Sequence, residues 1–84
     1  MRILVVEDDD ALGAYLRKGL TEAGHTVEHA ADGKDGLFLA TTESFDLIVL
    51  DRMLPELDGL TVLKTLRGAG NSTPVLIQIG RAHV

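Results

Sequence analysis

Two continuous apolar runs, Ile-Leu-Val-Val at residues 3–6 and Leu-Ile-Val-Leu at residues 47–50, constrain the fold more than any other feature of this 84-residue chain. Both runs are rich in β-branched residues and lack the alternation of a half-exposed strand, which is typical of strands covered on both faces. Such strands lie inside a parallel sheet that has helices packed above and below it. The two runs therefore predict an α/β domain.

The segments between these strands predict alternating helices and strands. Leu12, Leu16 and Leu20 recur at helical spacing before Gly24, and residues 26–30 mix polar and apolar types, which favours an edge strand. The remaining expectations are a turn at Asp32-Gly33, a short helix carrying Leu37, Leu39 and Ala40, a third helix carrying Leu60, Leu63 and Leu66 and ending near Gly68, and a fourth strand beginning at Pro74 and running through Ile77.

This alternation implies βαβ units with right-handed crossovers. The two most apolar strands are expected at the centre and the amphipathic second strand at an edge, which gives the strand order 2-1-3-4. In open α/β sheets, ligands bind beyond the carboxyl ends of the strands where the winding direction reverses, here between strands one and three. Glu7 and Asp8 follow strand one and Asp51 ends strand three, so all three are expected at that point.

Three carboxylates that converge on one crevice repel each other unless a cation lies between them. An all-oxygen set of ligands suits a hard divalent ion, and Mg²⁺, which also binds phosphate groups, suits it best. A carboxylate beside the ion can act as a nucleophile toward phosphorus. The acidic cluster therefore predicts a magnesium site and phosphoryl chemistry.

Composition excludes several other classes of protein. The formal charge of -5 argues against a DNA-binding face on this chain, and the absence of cysteine excludes disulfides and thiolate metal sites. No apolar run approaches the length of a membrane span. The expectation is one small cytoplasmic domain.

The motifs ILVVEDD, DLIVLD and LDRMLPELDGL resemble the receiver domain of bacterial two-component response regulators, in particular those with a downstream winged-helix DNA-binding domain. The resemblance covers residues 2 to 77. It implies a flavodoxin-like doubly wound parallel sheet, with the fifth strand and the last helices of the family missing from this chain. Receiver domains exemplify the strand-order rule used above, so the expected order is partly carried by the resemblance.

The resemblance also implies a role for each site residue. Asp51 matches the phosphoacceptor, Asp8 a direct Mg²⁺ ligand, Glu7 a ligand acting through water, and Met53 a ligand through its backbone carbonyl. Pro55 and Gly59 match the positions that shape the loop after strand three. The implied phosphoryl donor is a phosphohistidine on a sensor histidine kinase, DNA would be bound only through a missing C-terminal domain, and a homodimer is left open.

Other acidic and histidine residues have simpler interpretations. Asp9 and Asp10 are expected as the cap and first-turn acids of helix one, and Asp58 as the cap of helix three, because carboxylates there accept backbone N–H bonds and face the positive end of the helix dipole. His25 and His29 flank or lie in the edge strand, where solvent exposure is expected.

Three rival functions remain at this point. A haloacid-dehalogenase-type phosphatase also uses a strand-ending Asp with Mg²⁺, but it needs a second acid where this chain has Met53. A receiver-like interaction module that does not take phosphate is a second alternative. Nucleotide binding is the weakest, because neither a G-x-G-x-x-G motif nor a P-loop occurs.

The last residues depart from the family pattern. Family members resemble a longer domain in which strand four ends in Ser or Thr and strand five in Lys, whereas Ile79 stands at the hydroxyl position and Lys18, Lys34 and Lys64 all fall in or beside helices. Residues 78–84, Gln-Ile-Gly-Arg-Ala-His-Val, match the translation of a common sequencing-library adapter, CAGATCGGAAGAGCACACGTC. We therefore expect residues 1–77 to be a partial receiver domain and residues 78–84 to be a non-native tail.

Overall fold

The computed structural model describes residues 1–52, 54 and 57–78. In order along the chain, its elements are β1 (Arg2–Val6), α1 (Asp10–Glu22), β2 (Thr26–Ala30), α2 (Gly33–Thr42), β3 (Leu47–Asp51), α3 (Gly59–Gly68) and β4 (Val75–Gln78). Each predicted helix and strand is present. Of the expected tail, only Gln78 belongs to the described residues, where it ends β4.

The four strands form one parallel sheet in the order β2-β1-β3-β4. The predicted fold class and strand order are therefore confirmed. Val6 pairs with Ala30 on one side and with Leu50 on the other. Because β1 and β3 are parallel and Val6 pairs with Leu50, the residues that follow β1 and the residue that ends β3 lie at the same edge of the sheet.

Apolar side chains fill both faces of the sheet. On one face, Leu4, Val6, Ile48 and Leu50 pack with residues of α2 and α3, including Val62 and Leu66. On the other face, Ile3, Val5, Val27 and Val49 pack with Leu16 and Leu20 of α1. The two faces explain the continuous apolar runs, because all side chains of β1 and β3 after the first residue of each strand are buried, whichever face they point to.

An aspartate caps the N-terminus of each helix. The Oδ1 atoms of Asp9, Asp32 and Asp58 accept backbone N–H bonds of 3.0, 2.8 and 2.8 Å from residues three positions further along the chain. The caps expected at Asp9 and Asp58 are confirmed. Asp32-Gly33 was expected as a turn, and this was wrong: Asp32 is the cap and Gly33 is the first residue of α2. An aspartate followed by glycine is found both in turns and at helix N-termini. Here the backbone N–H of Asp35 donates to the Asp32 carboxylate, as in a helix cap.

The buried face of α3 is not the one expected from the sequence. Leu60 was expected on the apolar side with Leu63 and Leu66, but it is 42% exposed, whereas Val62 is 1% exposed. The helix begins at Gly59, and its buried residues Gly59, Val62 and Leu66 lie three and four positions apart on one face, which leaves Leu60 outside that face. Among the described residues, no helix combines the length and the apolar character needed to cross a bilayer.

The cap of α3 predicts how stability depends on pH. The pKa of Asp58 lies below its ordinary value of 3.8, chiefly because the backbone N–H of Thr61 donates to the carboxylate and secondly because of the hydrogen bond to the Thr61 side chain. Since the folded pKa is lowered, the ionised cap stabilises the fold fully above pH 3.8 and loses this effect as the pH falls through the folded pKa.

Asp58→Asn keeps a hydrogen-bond acceptor but cannot ionise. We therefore expect the variant to lose less stability than the unaltered chain as the pH falls below 3.8. Thermal unfolding followed by circular dichroism from neutral pH to well below 3.8 would measure it. Parallel acid-induced losses in the two proteins would contradict the assignment.

Candidate acidic site at the carboxyl edge of the sheet

Three carboxylates meet where β1 and β3 end. Glu7 and Asp8 directly follow β1 and Asp51 is the last residue of β3, and these two strands are neighbours in the sheet. One carboxylate oxygen from each of the three residues lies within 4.8 Å of the others. The structure therefore brings together the three carboxylates that the sequence singled out.

Two of these three carboxylate side chains are buried, and the third is exposed. Glu7 and Asp51 are each 1% exposed, whereas Asp8 is exposed to solvent. Two ionised carboxylates 4.8 Å apart repel by about 3 kcal/mol at an effective dielectric constant of about 20, and water screens the contribution of Asp8 more strongly. A divalent cation would remove this cost. The residues fit Mg²⁺, because the set contains only hard oxygen donors and one member reaches solvent, which suits an ion that keeps several of its waters.

Hydrogen bonds fix Glu7 at several atoms. Its backbone N–H donates to the carbonyl of Ala30 at 3.0 Å, its Oε2 accepts the N–H of Asp9 at 3.0 Å, and its Oε1 accepts a long bond of 3.4 Å from the Gln78 amide. The Asp9 N–H that bonds Glu7 comes from the same residue that caps α1. The end of β1 and the start of α1 are thus connected through the Glu7 side chain.

His29 contacts this site, contrary to the expectation that it is solvated. Its Nε2 lies 2.8 Å from the carbonyl oxygen of Glu7, and the side chain is half-buried. A Cβ on Gly13 of α1 would lie 2.4 Å from the ring, so the absence of a side chain at Gly13 makes room for it. The edge strand is covered by α1 at this point. The pairing of a glycine with a histidine 16 positions away along the chain leaves no pattern in the sequence.

The first residue of α3 supports the other side of the site. The N–H of Gly59 donates to the carbonyl of Arg52 at 3.0 Å, and a Cβ on Gly59 would lie 2.5 Å from the carbonyl oxygen of Asp51. The backbone of α3 therefore contacts the backbone that carries Asp51. Met53 and Pro55, which the resemblance assigned to a ligand and to the loop, lie outside the described residues, as does Ile79.

A doubly wound parallel sheet with clustered carboxylates between its central strands defines a receiver-type α/β domain. The family of response regulator receiver domains matches residues 3–83, and the chain belongs to this family. This family uses Mg²⁺ at an acidic pocket, and in this chain Glu7, Asp8 and Asp51 form an acidic cluster that could hold a metal ion.

Two curated relatives are transcriptional regulators. The chain is 57% identical over 84 residues to the transcriptional activator protein IrlR of Burkholderia pseudomallei, covering 100% of this chain and 36% of that protein. It is 47% identical over 77 residues to the transcriptional regulatory protein CusR of Escherichia coli, covering 92% of this chain and 34% of that protein. The chain thus spans about a third of the length of these relatives.

Solved receiver domains have the same fold. The receiver domain of the Francisella response regulator 1452 superposes with a TM-score of 0.89 at 41% identity, covering 90% of this chain and 63% of that one. The chemotaxis protein CheY4 of Vibrio cholerae superposes with a TM-score of 0.88 at 30% identity, covering 98% and 70%. The flavodoxin-like fold of this chain is therefore confirmed.

Proposed function

We propose that this receiver domain takes a phosphoryl group from a sensor histidine kinase onto Asp51, with Mg²⁺ held by the acidic cluster. The observation that carries the proposal is the meeting of Glu7, Asp8 and Asp51 within 4.8 Å at the carboxyl edge of the sheet. In this proposal Asp8 contacts the ion directly, Glu7 acts through water, and the carbonyl of Met53 completes the protein ligands.

The geometry supports this division between the two acids of the pair. Asp8 is exposed and can present its carboxylate to a hydrated ion, whereas Glu7 is 1% exposed and its Oε2 already accepts the Asp9 N–H. A buried carboxylate with an occupied oxygen is better suited to orient a metal-bound water than to enter the coordination shell itself.

The proposed chemistry is a phosphoryl transfer between two proteins. A carboxylate oxygen of Asp51 attacks the phosphorus of the phosphohistidine, the P–N bond breaks, and its electron pair stays on the histidine ring of the kinase, which takes up a proton. Mg²⁺, when bound, neutralises the charge that develops on the phosphoryl oxygens. Glu7 and Asp8 hold the cation beside the nucleophile, and the product is an acyl phosphate on Asp51.

The proposed output is control of transcription. IrlR and CusR are transcriptional regulators by name, which supports a DNA-binding winged-helix domain C-terminal to this receiver domain in the complete protein. Receiver domains of this kind are generally not classical enzymes, and we confine catalysis to the domain's own phosphorylation and dephosphorylation. The cytoplasmic location expected from the sequence stays a prediction.

Labelling by a small phosphodonor tests this function. With Mg²⁺ and acetyl phosphate, intact-mass spectrometry should detect the addition of one phosphoryl group, and chelation of the ion should prevent it. The bond should be labile to base, as expected of an acyl phosphate. A receiver domain completed by its fifth strand that folds and binds Mg²⁺ but takes no label would favour the phosphorylation-independent interaction module.

The metal assignment predicts different effects for two neighbouring acids. Asp8→Ala should weaken Mg²⁺ binding by more than about tenfold, because it removes a direct carboxylate ligand. Asp10→Ala should change it by less than about twofold, because Asp10 is exposed in the first turn of α1 and contributes only screened charge. Isothermal titration of each variant with Mg²⁺ would measure both effects, and equal losses would contradict the assignment.

We further propose residues 1–77 as the native partial receiver domain and residues 78–84 as non-native. The identity of the last seven residues with an adapter translation supports this division. The family match continues to residue 83, so the genomic reading frame itself is the decisive observation. A frame that encodes QIGRAHV after residue 77 would overturn the division.

A further inference from the structure

His29 occupies a position between three elements. It lies in β2, its ring packs on Gly13 of α1, and its Nε2 lies 2.8 Å from the carbonyl oxygen of Glu7 at the end of β1. A carbonyl oxygen can only accept a hydrogen bond, so the proton must be on Nε2. The geometry thus selects one form of the neutral ring.

We propose that His29 is a positioning residue for the metal site, acting through the peptide group that joins Glu7 to Asp8. This inference rests on the proposed function, because it assigns His29 a role toward the cation that Glu7 and Asp8 would hold. His29 does not touch the cation or the phosphoryl group in this proposal. It holds the backbone from which the Asp8 carboxylate projects.

Several hydrogen bonds of Glu7 restrain this backbone. The Glu7 N–H bonds the carbonyl of Ala30, the Glu7 Oε2 accepts the Asp9 N–H, and the Glu7 carbonyl accepts the His29 Nε2–H. The Glu7 carbonyl oxygen belongs to the Glu7–Asp8 peptide plane, so the His29 bond acts on the orientation of that plane and hence on the starting point of the Asp8 side chain. Without it, the bonds to Ala30 and Asp9 still restrain Glu7, but the peptide plane loses the hydrogen bond at its carbonyl oxygen.

The orientation of this plane matters for a small cation. Mg²⁺ requires near-ideal octahedral geometry, and residues that orient a metal ligand contribute to affinity without contacting the ion. Asp8 is exposed, whereas the side chains of Glu7 and Asp51 are buried. Its position therefore depends on the backbone more than the positions of the buried Glu7 and Asp51 do.

Two polar substitutions at His29 distinguish the effect of the hydrogen bond from the effect of having a polar side chain at this position. The amide nitrogen of glutamine reaches about as far as a histidine Nε2, whereas that of asparagine corresponds to Nδ1 and falls short. A cavity of about 430 Å³ borders the ring and is lined in part by Ala14 and Thr21 of α1, so either side chain has room. His29→Gln can therefore restore the donor, and His29→Asn cannot.

The test is a titration of the 84-residue chain and its variants with Mn²⁺ alone, in which electron paramagnetic resonance measures the bound and free ion. Mn²⁺ shares the preference of Mg²⁺ for octahedral oxygen ligands. We expect His29→Asn to bind Mn²⁺ about threefold to tenfold more weakly and His29→Gln to stay within about twofold of the unaltered chain, the range expected for one net hydrogen bond. The matched control is His25→Asn, because His25 bonds the N-terminal amine instead of the site.

Equal affinities of the Asn and Gln variants would overturn the role of His29 while leaving the metal site intact. Absence of saturable Mn²⁺ binding by the unaltered chain would instead overturn the metal site and, with it, this inference. A second measurement needs no variant: a long-range ¹H–¹⁵N spectrum of the neutral ring should place the His29 proton on Nε2. A proton on Nδ1 would contradict the proposal even if the variants did not fold.

Discussion

Asp51→Asn should abolish phosphoryl labelling of this chain by acetyl phosphate. The substitution replaces the proposed nucleophilic oxygen with an amide that cannot attack phosphorus at a useful rate, and it keeps the shape of the side chain. Asp51 is 1% exposed and lies within 4.8 Å of two other carboxylates. Removing its charge relieves repulsion in the cluster, so the variant should fold and isolate the chemical effect from the structural one.

Intact-mass spectrometry after incubation with Mg²⁺ and acetyl phosphate would measure the label. The matched control is Asp10→Asn, which removes an exposed acid in the first turn of α1 and should label at the rate of the unaltered chain. Full labelling of the Asp51 variant would sink the assignment of the phosphoacceptor. Label mapped to Glu7 or Asp8 in the unaltered chain would show that an acid following β1, instead of Asp51, is the nucleophile.

Gly59→Ala should destabilise the domain by about 1–3 kcal/mol, a large part of the roughly 4–13 kcal/mol expected for a domain of this size. The added Cβ would lie 2.5 Å from the carbonyl oxygen of Asp51 and 2.9 Å from the Cα of Arg52. Both are backbone atoms, so no side chain can rotate out of the way. Either the start of α3 or the end of β3 must move.

Urea unfolding of both proteins would measure this loss as a lower midpoint. The matched control is Gly19→Ala within α1, where an added Cβ has no neighbour within 4 Å and should be neutral or stabilising by up to about 1 kcal/mol. Similar midpoints for the two variants would show that the contact at Gly59 relaxes at little cost. If the end of β3 moves, labelling at Asp51 should also slow.

The sequence was sufficient to predict the acidic site because its geometry depends on strand order and little else. Continuous apolar runs identified the central strands, and parallel neighbours end at a common edge. Any acid that directly follows such a strand must therefore lie near the acids that end its neighbour. Glu7, Asp8 and Asp51 needed no information about side-chain packing to be brought together.

The features that sequence reasoning missed depend on packing between elements. Leu60 and Val62 are both apolar, and Val62 is the buried one because it shares a helix face with Gly59, which packs against the backbone of β3. The contact of His29 with Gly13 and with the Glu7 carbonyl joins residues from three elements. Periodicity within one element carries no information about such a contact, because the contact depends on how closely two backbones approach.

The aspartate caps of the three helices give the molecule an uneven distribution of charge. The three helices within the described residues begin at the edge where β1, β2 and β3 end, so their cap and first-turn acids lie at the same edge as the acidic cluster. More than half of the chain's 13 acidic residues lie at this edge, namely Glu7, Asp8, Asp9, Asp10, Asp32, Asp35, Asp51 and Asp58.

Such an edge attracts cations from solution and repels anions. A phosphoryl donor is itself an anion, so its approach to Asp51 becomes favourable only after positive charge has accumulated at the edge. For the proposed reaction we therefore expect an order of binding, with the cation first and the phosphoryl donor second.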